Sequence, residues 1–257
     1  MSHRRNLIKL IEKAAYRHDT WQVFSDFVEM AALSISNSVD LAQFDEREAQ
    51  YMRVVQRYTK EELALFPEML GELAEELEKG FDDVLGGVFM EMELGNKWRG
   101  QFFTPYHICK MMARMHVDDR MREIIDRQGF IRVNEPACGG AAMIVAMAEE
   151  MKLAGINYQQ HMHVVAQDVD LKAVHMAYVQ LSLLHVPAIV IQGNTLTLEE
   201  VSQWYTPAHI IGLWNFKLQR ANRKEIPEDK KSPELPGAPR ELLAEPVQLN
   251  LFDLEAA

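Results

Sequence analysis

Up to about residue 95, apolar residues recur three and four positions apart, as at Val23, Phe27, Met30 and Ala31, and no alternating pattern competes. A helix buries one stripe of side chains with that period, so residues 1–95 are expected to form an all-helical domain. Thr59 and Glu62 stand in a capping-box arrangement, and the helix they open carries Leu63, Phe66, Leu70, Leu73 and Leu77 towards a stop at Gly80. Pro67 inside that run predicts a kink or a break. From about residue 96 short apolar stretches alternate with helical patterns. Strands are expected at 130–134, 163–167, 188–192 and 209–214, and helices near 141–153 and 171–185. Alternation of this kind predicts an α/β unit, a parallel sheet covered by helices, over residues 96–221. After about Asn222 the chain turns to Pro, Lys and Glu, with Pro227, Pro233, Pro236, Pro239 and Pro246. That segment, 222–257, is too poor in apolar residues to fold alone and is read as a flexible tail.

Composition narrows the possibilities. Of 257 residues 48% are hydrophobic, enough for a substantial core. A net charge of −11 argues against a surface that wraps nucleic acid everywhere, so any DNA contact is expected to be local or assisted by a partner. The acidic run from Glu72 to Glu78 reads as a solvated helix face. No apolar run reaches membrane-spanning length and the N-terminus lacks an apolar signal core, so a cytoplasmic location is expected. Cys109 and Cys138 are too few for a disulfide framework and lack metal-ligand spacing.

Two segments carry candidate chemistry. In Gly100-Gln101-Phe102-Phe103-Thr104-Pro105, Thr104 and Pro105 make a suitable helix start behind two phenylalanines. In Asn134-Glu135-Pro136-Ala137-Cys138-Gly139-Gly140, a strand leads into a helix. The glycines let the backbone approach a ligand, the helix N-terminus offers free amides, and Glu135 can accept hydrogen bonds from an amino or cationic group. Asp168 follows the next strand, where an acid commonly holds the ribose hydroxyls of a nucleoside; its alternative role is a helix cap, for which Asp170 is better placed.

With these segments in this order, residues 15 to 215 resemble the adenine-N6 DNA methyltransferase family, specifically the modification subunit of type I restriction systems. The resemblance implies a Rossmann-like methyltransferase fold and S-adenosylmethionine as cofactor. Phe102, Phe103, Thr104 and Pro105 would lie beside it, Glu135, Pro136, Ala137, Cys138 and Gly139 under it, Asp168 at its ribose and Asn194 near its adenine. The sequence departs from the family at Glu135 and Asn194, where Asp is usual, and at Ala141, where a second glycine is common. The family also carries Asn or Asp, then Pro-Pro and an aromatic residue, to hold a flipped-out adenine. Asn215-Phe216 occupies the matching place without either proline, and these two are the only candidates for the target base. Too little apolar sequence follows for a seven-stranded sheet. An incomplete sheet would leave the fourth strand as an open edge for the tail, a second copy or a partner subunit to cover.

The tail ends in Gln248-Leu249-Asn250-Leu251-Phe252, which resembles the peptide by which bacterial replication and repair proteins dock on the sliding clamp. Gln248, Leu249, Leu251 and Phe252 would make that contact; the same peptide could instead fold back on apolar surface of its own chain. Two functions are therefore expected: an adenine-N6 DNA methyltransferase completed by partners, or a non-catalytic binding protein that joins DNA-bound machinery or interferes with restriction. A nicotinamide-binding domain is disfavoured, because Cys138 to Met143 does not supply a Gly-x-Gly-x-x-Gly loop.

Overall fold

The computed structural model describes residues 2–92 and 103–225. The first stretch is entirely helical: α1 (His3–Ala14), α2 (Thr20–Asn37), α3 (Phe44–Val55), α4 (Lys60–Leu63), α5 (Leu65–Lys79) and α6 (Val84–Glu91). The second begins with α7 (Tyr106–His116) and α8 (Asp119–Gln128), which lead into β1 (Ile131–Glu135). Then follow α9 (Ala142–Leu153), α10 (Tyr158–His161), β2 (Met162–Asp168), α11 (Leu171–Leu183), β3 (Ala188–Asn194) and β4 (Glu199–Tyr205). Two helices close the described chain, α12 (Pro207–Ile211) and α13 (Trp214–Glu225).

Local chemistry accounts for many of the boundaries. The Thr59–Glu62 capping box forms, but the helix it opens ends after one turn; the break falls at Ala64, just before Pro67, which sits in the first turn of α5 where its missing N–H costs nothing. Asp19, Asp118, Asp170 and Thr206 cap α2, α8, α11 and α12 through their side chains. Thr104 does not cap α7: Pro105 holds the cap position with no side-chain bond. The acidic run of α5 is only partly solvated, since Glu72 accepts from His3 and Asn6 and Glu76 accepts from Ser2 on the neighbouring α1.

The sheet order is β1-β2-β3-β4, with β1, β2 and β3 parallel and β4 antiparallel to β3. Because both parallel crossovers move in the same direction, right-handed connections place α9 and α11 on one face. Ile131, Val133, Met162, Val164, Ala166, Ala188 and Val190 point to that face by strand alternation and are buried there. The N-terminal helices pack behind it, α2 against α11, and share one continuous core with the sheet. On the other face lie α12 and α13, where Trp214 meets Phe130 and His163 edge-on or tilted at 5.1 and 5.2 Å.

The fourth strand is not where the sequence pattern places it. Residues 209–214 form the end of α12 and the start of α13, and β4 is the polar stretch Glu199–Tyr205. The apolar run His209 to Trp214 begins just after a Thr206 cap followed by Pro207, a helix start that its apolar content conceals. Strand β4 is recruited instead by tight return from β3, with Glu199 and Glu200 exposed at its start. Its outer edge is covered at Gln203 by the chain itself: the Gln203 carbonyl accepts from Arg47 Nη2 at 2.8 Å, and that guanidinium lies 4.0 Å from the Trp204 ring. The other edge of the sheet is β1. No described helix is long and apolar enough to cross a membrane.

Candidate functional site

At the carboxyl end of the parallel strands three loops converge. The chain leaving β1 bends sharply: the Cys138 amide donates to the Gln167 carbonyl at 2.8 Å, and the Gly139 amide donates to Asp168 Oδ2 at 2.9 Å. Asp168 Oδ1 accepts from the Asp170 amide at 3.0 Å. The loop after β3 joins in, as the Thr195 hydroxyl donates to the Pro136 carbonyl at 2.7 Å and Asn194 Oδ1 accepts from the Leu196 amide at 3.0 Å. Glu135, Pro136, Ala137, Cys138, Gly139, Asp168 and Asn194 are thus one connected group. Gly139 has φ +52°, and a Cβ built on it would meet the Phe103 ring at 2.9 Å, so only glycine fits beneath that ring. Ala141, at the position where the family commonly has glycine, sits in the same left-handed region with φ 74°.

Glu135 and Asp168 lie on adjacent strands, staggered by two residues on the same face. Burial raises the Glu135 carboxyl above its ordinary value, an effect opposed by the Ala137 amide it accepts at 3.3 Å and reinforced by the Asp168 charge. Among the described residues neither carboxylate has a cationic partner. Two neighbouring acids, one pushed towards its neutral form, favour a ligand that brings positive charge or hydroxyl donors. Burial first, then the two acids, also raises the Cys138 thiol well above its usual range, so Cys138 is packing and not a nucleophile.

Beneath this loop is a polar hub that the sequence reading missed. Gln180, fully buried on α11, donates through Nε2 to the Gly140 carbonyl at 2.6 Å and to Asp83 Oδ1 at 2.9 Å, while its Oε1 accepts from the Leu85 amide at 3.0 Å. Asp83 Oδ1 also accepts from the Gly86 amide at 2.9 Å, and burial raises its carboxyl. The helical stretch is thereby bolted to the loop. The Asp82-Asp83 pair ahead of apolar Val84 was a signal for a cap; nothing marked Gln180, which lies in an apolar helix.

Phe103 is half-buried over Gly139, edge-on to Phe89 at 5.2 Å, while Thr104 and Pro105 are exposed at the entrance to α7. Phe102 lies outside the described residues, as do Gln248, Leu249, Leu251 and Phe252. Asn215 and Phe216 do not join the group. They open α13 at the opposite end of the sheet: Asn215 Oδ1 accepts from His209 Nε2 at 3.1 Å, and His209 Nδ1 pairs with His163 Nε2 at 2.9 Å. His163 is the second residue of β2 and Asp168 ends it, so about 16 Å of strand separates the two places. An adenine held at Asn215 would be far from a ligand under Phe103. The two residues expected to hold the base therefore stand apart from the group expected to hold the cofactor, because helices replace the strand expected over residues 209–214.

The histidines carry a pH prediction. Burial, then the His209 ring, lowers His163 to about 3; burial and Arg47 lower His175 to about 3; burial also lowers His209. The unfolded chain gains these protons near pH 6.5 and the native one does not. Stability from His163 and His175 is therefore full above pH 6.5 and falls as pH drops, by about 1.4 kcal/mol per pH unit for each. The raised carboxyls of Asp83 and Glu135 work the other way, since the native chain takes up their protons before the unfolded one does, and they offset part of this fall. Thermal melts are expected to fall steadily from pH 7 to pH 5; a flat melting temperature there would contradict neutral buried rings.

Comparison with known proteins places this geometry in context. A family model described as N-6 DNA methylase matches residues 89–232, more than half of the chain. No curated protein matches. A solved structure from Listeria monocytogenes, described as a class I S-adenosylmethionine-dependent methyltransferase, aligns at 15% identity with a TM-score of 0.40. The alignment covers 74% of this chain and 53% of that one, so the chain spans about half that protein's length.

Proposed function

The chain belongs to the N-6 DNA methylase family, with S-adenosylmethionine as its cofactor, and from that premise we propose that it is a cofactor-binding DNA adenine-N6 methyltransferase-like protein related to type I modification subunits. In this reading methyl transfer requires base-binding residues from another chain. The observation that carries it is the acid pair, Glu135 and Asp168, at a glycine loop under an aromatic ring. These residues fit the group. S-adenosylmethionine bears a sulfonium, an ammonium and ribose hydroxyls, which answer two carboxylates without cationic partners. Asp168 would hold the ribose hydroxyls, Glu135 the cationic end and Asn194 the adenine, and Phe103 would keep water from the reacting side. When bound, the cofactor supplies an activated methyl group.

Titration calorimetry with S-adenosylmethionine tests the reading. Wild-type protein is expected to bind, and Glu135→Ala to bind about tenfold or more weakly, the loss of one charge-assisted hydrogen bond. Absence of heat with folded wild-type protein at millimolar ligand overturns it.

One observation favours a second reading, a non-catalytic member that keeps the cofactor fold for binding: Asn215 and Phe216 stand at the far end of the sheet. The terminal peptide would then attach the protein to DNA-bound machinery through Leu251 and Phe252. Under that reading Leu251→Ala with Phe252→Ala releases the protein from immobilised sliding clamp, and unchanged retention removes the clamp from consideration.

A further inference from the structure

Helix α13 has a composition unlike the rest of the chain. From Trp214 to Glu225 it carries Lys217, Arg220, Arg223 and Lys224 against one acid at its last residue, in a protein of net charge −11. Its two sides are distinct. Trp214 is buried against Phe130 and His163, and Asn222 accepts from Arg132 Nη2 at 2.7 Å, which fixes the helix on the sheet. Lys217, Arg220 and Arg223 are exposed, spaced by three along the helix, and therefore form a single stripe about 9 Å long. Among the described residues none of the three has a carboxylate partner; Lys217 rests 4.3 Å from the Trp214 ring. Phe216, 67% exposed, stands beside the stripe.

A surface helix in an acidic protein normally mixes its charges. A stripe of three unpaired cations repels its own neighbours, so an arrangement that is costly alone becomes favourable when polyanion is present. We infer that the exposed face of α13 is a DNA-docking surface that grips the phosphate backbone of duplex DNA without reading its bases. The spacing of the cations suits adjacent phosphates along one strand, a contact that Lys and Arg make whatever the base sequence. The surface lies at the end of the sheet opposite Glu135 and Asp168, so duplex held there is anchored and not presented to the methyl donor. Asn215 and Phe216, far from the cofactor group, open this same helix.

The inference rests on the reading that DNA is the partner of this fold, and its failure is separable from failure of the cofactor site. Fluorescence anisotropy of the full chain with a labelled, arbitrary-sequence duplex is measured between about 50 and 200 mM salt. Binding is expected to weaken with salt at about 0.9 log units per log unit for each contacted phosphate. The triple variant Lys217→Gln, Arg220→Gln, Arg223→Gln is expected to flatten that slope by about 3 and to bind about tenfold or more weakly at the lowest salt. The three positions are exposed, so an unchanged melting temperature accompanies the loss. An unaltered slope in the variant overturns the inference, as does tighter binding of polyaspartate than of duplex, which would point to an acidic protein as occupant. S-adenosylmethionine calorimetry on the same variant is expected to match wild type. Loss of DNA with cofactor retained then isolates α13, whereas wild-type protein that takes DNA but no cofactor refutes the cofactor reading alone.

Discussion

Gln180→Leu is expected to lower the stability of the fold by about 3–5 kcal/mol, a fall of about 10 °C in melting temperature for a chain of this size. Leucine has nearly the volume of glutamine, so little cavity forms and the loss is polar. Three groups lose a partner at once: the Gly140 carbonyl, the Leu85 amide and Asp83 Oδ1, which keeps only the Gly86 amide. Each buried group left unpaired costs about 1–3 kcal/mol. The Asp83 carboxyl, already raised by burial, is driven further towards its neutral form. Thermal melts at pH 7 check the prediction, and a shift of under about 2 °C would mean that water replaces Gln180 without loss. Because the hub supports the glycine loop from below, the same variant is expected to weaken cofactor binding even at temperatures where it remains folded.

Asp168→Ala carries the second large effect, at least about 100-fold on S-adenosylmethionine affinity. Its carboxylate has two duties in the loop. Oδ2 accepts from the Gly139 amide and so fixes the loop at φ +52°, and Oδ1 accepts from the Asp170 amide and so sets the turn into α11. Alanine removes both and also the acceptor proposed for the ribose. Asp168→Asn keeps an acceptor for one amide and is expected to fall between alanine and wild type. Asp170→Ala is the control: it deletes the cap of α11, worth about 1 kcal/mol of stability, and leaves the loop anchored. Calorimetry on the four proteins checks the order. Equal affinity for Asp168→Ala and wild type would remove Asp168 from the site.

Much of this arrangement is legible in the amino-acid sequence. β1, β2 and β3 fall within two residues of their expected bounds, because each is a short apolar run between strong turn or helix signals. The turn from Glu135 to Gly140 was legible for a chemical reason: two glycines between a strand and a helix let the chain bend sharply there. β4 was not. Its stretch Glu199–Tyr205 is polar and exposed over its first three residues, its pairing comes from the return beside β3, and no local pattern announces that. The same strand assignment put Asn215 and Phe216 at a strand end, whereas they lie in the first turn of α13. An apolar run of six residues, His209 to Trp214, reads equally as strand or buried helix, and the Thr206-Pro207 start decides for helix. Gln180 was illegible for another reason. Its partners are 40, 95 and 97 residues away, so only the packed structure brings them together.

The most direct test locates the cofactor. Purified protein is irradiated with radiolabelled S-adenosylmethionine, digested, and the labelled peptide sequenced. Label is expected on the peptide containing Phe103 or on the stretch from Glu135 to Gly139, and it should vanish in Asp168→Ala. Label on the peptide carrying Trp214, Asn215 and Phe216 would place the cofactor at the other end of the sheet and contradict the site described above.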